Sequence, residues 1–176
     1  MNSFHSIDEI GEYMNDAVKQ FAVFLKLQDD VLFTAKSTGE WSPSEHLAHL
    51  YSRVEILNKK LHQPKFLYNL SFERSKDHVG RTEEEIKAKY AAKVELLGGI
   101  TSPMAPQGPG LAEKPSKLVA WMSQHNKLMK KCKALKAEEL DQLLVKESPI
   151  GKISLREMLF FHIHDIYMHL NSLKES

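Results

Sequence analysis

Ser154-Leu155-Arg156-Glu157-Met158-Leu159-Phe160-Phe161-His162-Ile163-His164-Asp165-Ile166-Tyr167-Met168-His169-Leu170 is the most informative stretch of the chain. Ser154 stands three residues before Glu157, the capping-box spacing in which each side chain satisfies an orphan amide at a helix start. Leu155, Met158, Leu159, Ile166 and Leu173 then recur at helical steps. This period predicts a helix running nearly to residue 176. His162, Asp165 and His169 fall on the same stripe, within roughly 60° of one another at about 100° per residue. Each would carry a desolvation cost there unless something pairs with it, and a divalent cation is one such partner. Asp165 and His169, at i and i+4, can reach one ion together. His164 points roughly 200° away from His162 and is expected to be exposed.

Working outward, the same period recurs. The first stripe is Ile7, Ile10, Met14, Val18, Phe21 and Leu25, opened by a Ser6/Glu9 capping box. The second helix opens with Ser42-Pro43-Ser44-Glu45, where cap, first-turn proline and returning glutamate agree. It carries Leu47, Leu50, Val54, Leu57 and Leu61. A shorter third helix starts at Thr82 with Glu85, carries Ile86, Tyr90, Val94 and Leu97, and is expected to stop at Gly98-Gly99. A fourth begins near Pro115 with Leu118, Trp121, Met122, His125, Leu128, Met129, Cys132 and Leu135. A small helical piece is expected over 137–144. Residues 63–80 are mixed and polar, and 98–114 are too rich in proline and glycine for one helix. No strand alternation stands out. The expectation is all-α: one helix-bundle domain over 1–176, with four long helices, a short extra one and no strands.

Composition excludes several classes. The 24 Lys+Arg against 23 Asp+Glu leave a net charge of +1, unlike the basic excess of a nucleic-acid binder. Hydrophobic residues at 42% and charged residues at 27% are ordinary for a folded soluble domain. No apolar run reaches the ~18–20 residues of a membrane span, and residues 1–9 lack the pattern of a signal peptide. Cys132 is the only cysteine, so no internal disulfide forms, and a cytoplasmic location is expected. Its place on a core stripe marks it as inert. Lys127, Lys130, Lys131, Lys133 and Lys136 read as a solvated face near a helix C-terminus.

A bundle builds sites from inward side chains on facing helices. His46 and His49 flank the second stripe, and either can face a cavity between helices. One of them plus two groups from the last helix makes three ligands, the number that catalytic zinc sites hold beside an open position. Zinc, nickel, manganese and ferrous iron all accept such ligands. A lone histidine on an apolar face is ordinarily a hydrogen-bonded core residue, and His125 reads that way, as core or cavity lining. His5, His62 and His78 have no supporting context.

Gly39-Glu40-Trp41-Ser42-Pro43-Ser44-Glu45-His46-Leu47-Ala48-His49-Leu50 resembles the tryptophan-start, His-Leu signature of the DinB/YfiT-like superfamily. Ser148-Pro149-Ile150-Gly151-Lys152-Ile153-Ser154 and the residues to Phe161 resemble that family's proline-glycine approach to its last helix. The resemblance implies a four-helix bundle in up-down-down-up order. It implies a divalent metal held by one histidine of the second helix and two residues spaced four apart in the last. Those positions are His49, Asp165 and His169, with Asp165 standing where the family usually has histidine. His46, His162 and His125 remain as supports or alternative ligands; His162 and His169 are about 10 Å apart along the axis, too far to share one ion directly.

The function implied is activation of a thiol or water for attack on a small electrophilic substrate, as in a thiol S-transferase or hydrolase, with a low-molecular-weight thiol as cosubstrate in the first case. Relatives often pair, so a homodimer is compatible with the resemblance. Residues 63–80 and 98–114 are expected to shape the pocket mouth, and Trp121 and His125 its wall. The alternative is a metal-free, non-catalytic bundle whose degenerate site serves ligand binding or self-association.

Overall fold

Three of the expected capping boxes open long or medium helices. In this computed structural model, which describes residues 6–36, 40–97 and 106–175, Ser6 caps α1 (Ile7–Leu27), Ser42 caps α3 (Pro43–His62) and Thr82 caps α5 (Glu83–Leu96). The other helices are α2 (Asp30–Thr34), α4 (Tyr68–Ser71), α6 (Lys114–Lys133), α7 (Ala137–Gln142) and α8 (Leu155–Glu175). The short α2 and α4 leave too little periodicity for sequence to reveal. The glycine pair 98–99 and His5 lie outside the described residues.

The chain is mostly helical, with a small three-stranded sheet. α1 packs along α8 and α6, and α6 along α3, while α5 lies on α8. The stripes meet as expected: Ile10, Met14, Phe21, Leu25, Leu50, Val54, Leu61, Trp121, Leu128, Leu159 and Ile166 are all within 1% of complete burial. α5 is the exception, since only Ile86 of its stripe is fully buried and Leu97 is 64% exposed. No helix among the described residues is long and apolar enough to cross a membrane.

The strands correct the strand-free expectation. β1 (Glu73–Arg74), β2 (Leu143–Glu147) and β3 (Gly151–Ser154) form an antiparallel sheet in that order. The pairs Val145–Ile153 and Glu147–Gly151 set the β2–β3 register. The helical piece expected over 137–144 therefore ends at Gln142, and Leu143 and Leu144 already belong to β2. β-branched Val145 and Ile153 prefer the pleated conformation and are 2% and 0% exposed. Residues 148–150 form the hairpin turn, and Gly151, which opens β3, has φ 98°, a conformation that favours glycine.

The sheet delivers the chain into α8. Ser154 N–H donates to Glu157 at 2.6 Å, and Glu157 N–H donates to Ser154 Oγ at 3.2 Å. Glu157 is 1% exposed and also accepts from the Arg81 side chain at 2.6 and 2.9 Å, from Arg81 N–H at 2.9 Å and from His78 Nε2 at 3.0 Å. His78, without context in the sequence, thus helps pin the segment before α5 onto the start of α8. These partners hold the Glu157 carboxyl below its usual range despite its burial. Replacing Glu157 with Gln should cost about 3 kcal/mol, because Arg81 keeps its charge and loses its counter-charge. Urea unfolding of the two proteins measures this directly.

Candidate metal centre

α3 and α8 bring the candidate ligands together. The Ser42 cap and Pro43 fix where α3 begins, so His46, His49 and Arg53 follow on one face at steps of three and four. Residues 106–110 buttress this start: a Cβ on Gly108 would lie 2.7 Å from the Ser44 carbonyl carbon. On α8, Asp165 and His169 are one turn apart. One ligand atom from each of His49, Asp165 and His169 lies within 4.8 Å of the others, so this group could hold a metal ion. A tetrahedral ion about 2.1 Å from each donor would set them roughly 3.4 Å apart, so rotation of side chains by about an ångström closes the set.

The individual contacts say which atoms face the centre. His169 Nε2 lies 3.6 Å from Asp165 Oδ1. Asp165 Oδ2 points the other way, 2.9 Å from Arg53 Nε. That contact is close but poorly aligned, and neither atom makes a hydrogen bond although both are buried. A buried carboxylate oxygen without a hydrogen bond is a costly arrangement that a cation relieves. Arg53 in turn donates to Glu147 Oε1 at 2.8 Å. Trp41 stacks parallel to His169, centroids 6.0 Å apart at 12°, and lies 5.3 Å from the His49 ring and 5.6 Å from that of His46.

The other expected histidines take different places. His46 Nδ1 meets His169 Nδ1 at 2.7 Å, so His46 is a neighbour of a candidate ligand rather than one of the three. His125 and His162 pair with each other, Nε2 to Nε2, at 3.1 Å, and His125 Nδ1 donates to the Trp121 carbonyl at 2.9 Å. Both are buried at 2% or less, and they form a polar pair inside the core outside the three-residue group. Trp121 is likewise core, packed on Phe21 at 5.0 Å rather than lining the candidate centre. His164 is half-buried against Tyr90, not exposed as expected, because α5 covers that side of α8. His62 bonds the Asn58 carbonyl within α3. Residues 107–109 border a cavity of about 370 Å³ with Leu47, Ala48 and Tyr51, which none of the three candidate ligands lines. Cys132 is buried and its thiol is pushed up to about 12, which makes it unreactive.

Sequence alone does not single out Arg53 or Glu147. Arg53 sits one turn after His49, a spacing compatible with the same face, but arginine is ordinarily an exposed residue. Glu147 ends a strand that the helical reading did not contain.

Electrostatically the centre favours neutral imidazoles. Burial pushes His46 and His49 down to about 4 and His169 to about 3. Asp165 opposes this for His49, while His169, Arg53 and His46 add to it. His125 is also pushed down to about 4 by burial, and His162 lies well below its ordinary value. All of these rings keep a lone pair at neutral pH, as ligation requires. No protein-family model, curated protein or solved structure matches this chain.

These low values make stability depend on pH. Above the ordinary histidine value of 6.5 these rings are neutral in both folded and unfolded chains. Below it the unfolded chain takes up protons that the folded protein refuses until about pH 4, so stability falls as pH drops through this window. The slope is up to about 1.4 kcal/mol per pH unit for each ring that stays neutral. Urea midpoints at pH 7.5, 6.5 and 5.5, above the carboxylate range, measure it, and His46→Gln should make the decline shallower.

Proposed function

We propose that this chain is a divalent-metal-dependent enzyme of the DinB/YfiT-like type, a thiol S-transferase or hydrolase acting on a small electrophilic substrate. On this reading α1, α3, α6 and α8 are the four helices of an up-down-down-up bundle, and His49, Asp165 and His169 hold the ion. The observation that carries the proposal is the convergence of those three side chains, from two helices, within 4.8 Å.

A bound divalent ion would acidify a thiol or water and polarise an electrophile. The surrounding residues have definable parts. His169 Nε2 faces Asp165, and with an ion on that nitrogen the His169 proton would sit on Nδ1 and donate to His46 Nδ1 at 2.7 Å. That bond fixes the tautomer and aims the Nε2 lone pair inward, as second-shell partners of metal-bound histidines do. Trp41 covers the three imidazoles from one side and limits their access to water. Asp165 brings a negative charge that a three-histidine set lacks, which favours harder divalent ions.

A second reading has its own observation. Arg53 already supplies Asp165 with a counter-charge at 2.9 Å, as expected of a metal-free bundle in which aspartate has replaced a ligand. Metal content separates the two. Protein purified without a histidine tag should hold close to one divalent ion per chain, and His49→Ala/His169→Ala should hold none. With the ion at 100 times its Kd, chelator should remove about 2.7 kcal/mol of stability from the parent protein and none from the double variant. Equal metal content in the two proteins would overturn the proposal, and a melting midpoint indifferent to chelator would favour the metal-free bundle.

A further inference from the structure

Arg53 stands between two carboxylates of different character. Its Nη2 donates to Glu147 Oε1 at 2.8 Å, and its guanidinium carbon lies 5.1 Å from the centre of the Phe161 ring. The Glu147 bond ties it to the end of β2, while Phe161, one turn before Asp165 on α8, supports the face of the guanidinium. Towards Asp165 it offers only the unaligned Nε–Oδ2 contact, with both atoms buried and without hydrogen bonds. Asp165, 4% exposed, therefore leans on a cation whose hydrogen bond is made elsewhere. A cavity of about 110 Å³, lined by Arg53, Leu57, Glu147, Met158 and His162 among others, gives the guanidinium room to withdraw.

We propose that Arg53 is a built-in competitor for the metal: it neutralises Asp165 when no ion is bound, and Glu147 draws it aside so that Asp165 can ligate. The Arg53–Glu147 pair then sets the affinity of the site. This rests on the metal-binding reading above. The charge argument gives the effect a definite sign. A guanidinium touching a ligand oxygen repels a divalent cation in a partly desolvated site, where charges interact several-fold more strongly than in water. A residue that merely oriented Asp165 would give the opposite sign, because its loss would weaken binding.

The test is Zn²⁺ affinity, by competition with a chromogenic chelator, for the full chain and its variants. Arg53→Met should bind Zn²⁺ roughly tenfold tighter or more, and Glu147→Gln several-fold weaker. In the Arg53→Met background, Glu147→Gln should have little further effect, because its influence runs through Arg53. In chelator, Arg53→Met should also melt lower than the parent, since Asp165 has lost its counter-charge. Equal or weaker binding by Arg53→Met overturns the inference and leaves the metal reading intact. If Arg53→Met does not fold, unchanged Zn²⁺ affinity in Glu147→Gln overturns it instead. Binding by Arg53→Met that His169→Ala abolishes, with none by the parent, would support the competition and remove the parent protein's role as a metalloenzyme. Absence of binding in every variant removes both.

Discussion

A carboxylate buried in the apolar face of a helix needs a partner, and Asp165 organises its surroundings accordingly. It is 4% exposed on a stripe whose apolar members are Leu155, Met158, Leu159, Ile166 and Leu173. Its charge is met from one side by Arg53 of α3 and approached from the other by His169 one turn along α8. Arg53 in turn reaches β2 through Glu147. A single polar residue thereby ties two long helices and the small sheet to one point. Burying such a chain of charges is costly unless the geometry is satisfied. Here one of its links, Arg53 to Asp165, is left unaligned.

That incomplete link connects the chemistry to the architecture. The core surrounding it is ordinary, with aliphatic stripes from α1, α3, α6 and α8 closing on one another. The polar groups inside fall into two sets. His125 and His162 satisfy each other with the Trp121 carbonyl, a closed arrangement. His46, His49, His169, Asp165 and Arg53 form an open one, in which neutral rings keep lone pairs and a carboxylate oxygen lacks a hydrogen bond. The contrast between them is what marks the second set, and not the first, as a group that could hold an ion.

The long helices and this set were readable because their signals are local. Capping boxes at Ser6, Ser42, Thr82 and Ser154 are four-residue patterns, and the apolar stripes repeat over many turns. Asp165 and His169 announce themselves by sharing a stripe one turn apart. What escaped depends on distant pairing. β2 and β3 are five and four residues long, too short for alternation to outweigh the helical pattern before them. Glu147 could not be connected to Arg53 without that sheet. Of the five histidine and aspartate residues at or beside the apolar stripes of α3 and α8 (His46, His49, His162, Asp165 and His169), sequence could not say which would be closed off by a partner. His162 is, because His125 meets it from α6.

The two tryptophans occupy contrasting environments. Trp121 is wholly buried beside Phe21 and the His125 ring. Trp41 is half-buried and lies face to face with His169. Indole emission responds to the polarity around the ring and to nearby charge. The chain therefore carries two intrinsic fluorophores with separate assignments, one reporting on the integrity of the interior and one on the state of the imidazoles beside Asp165.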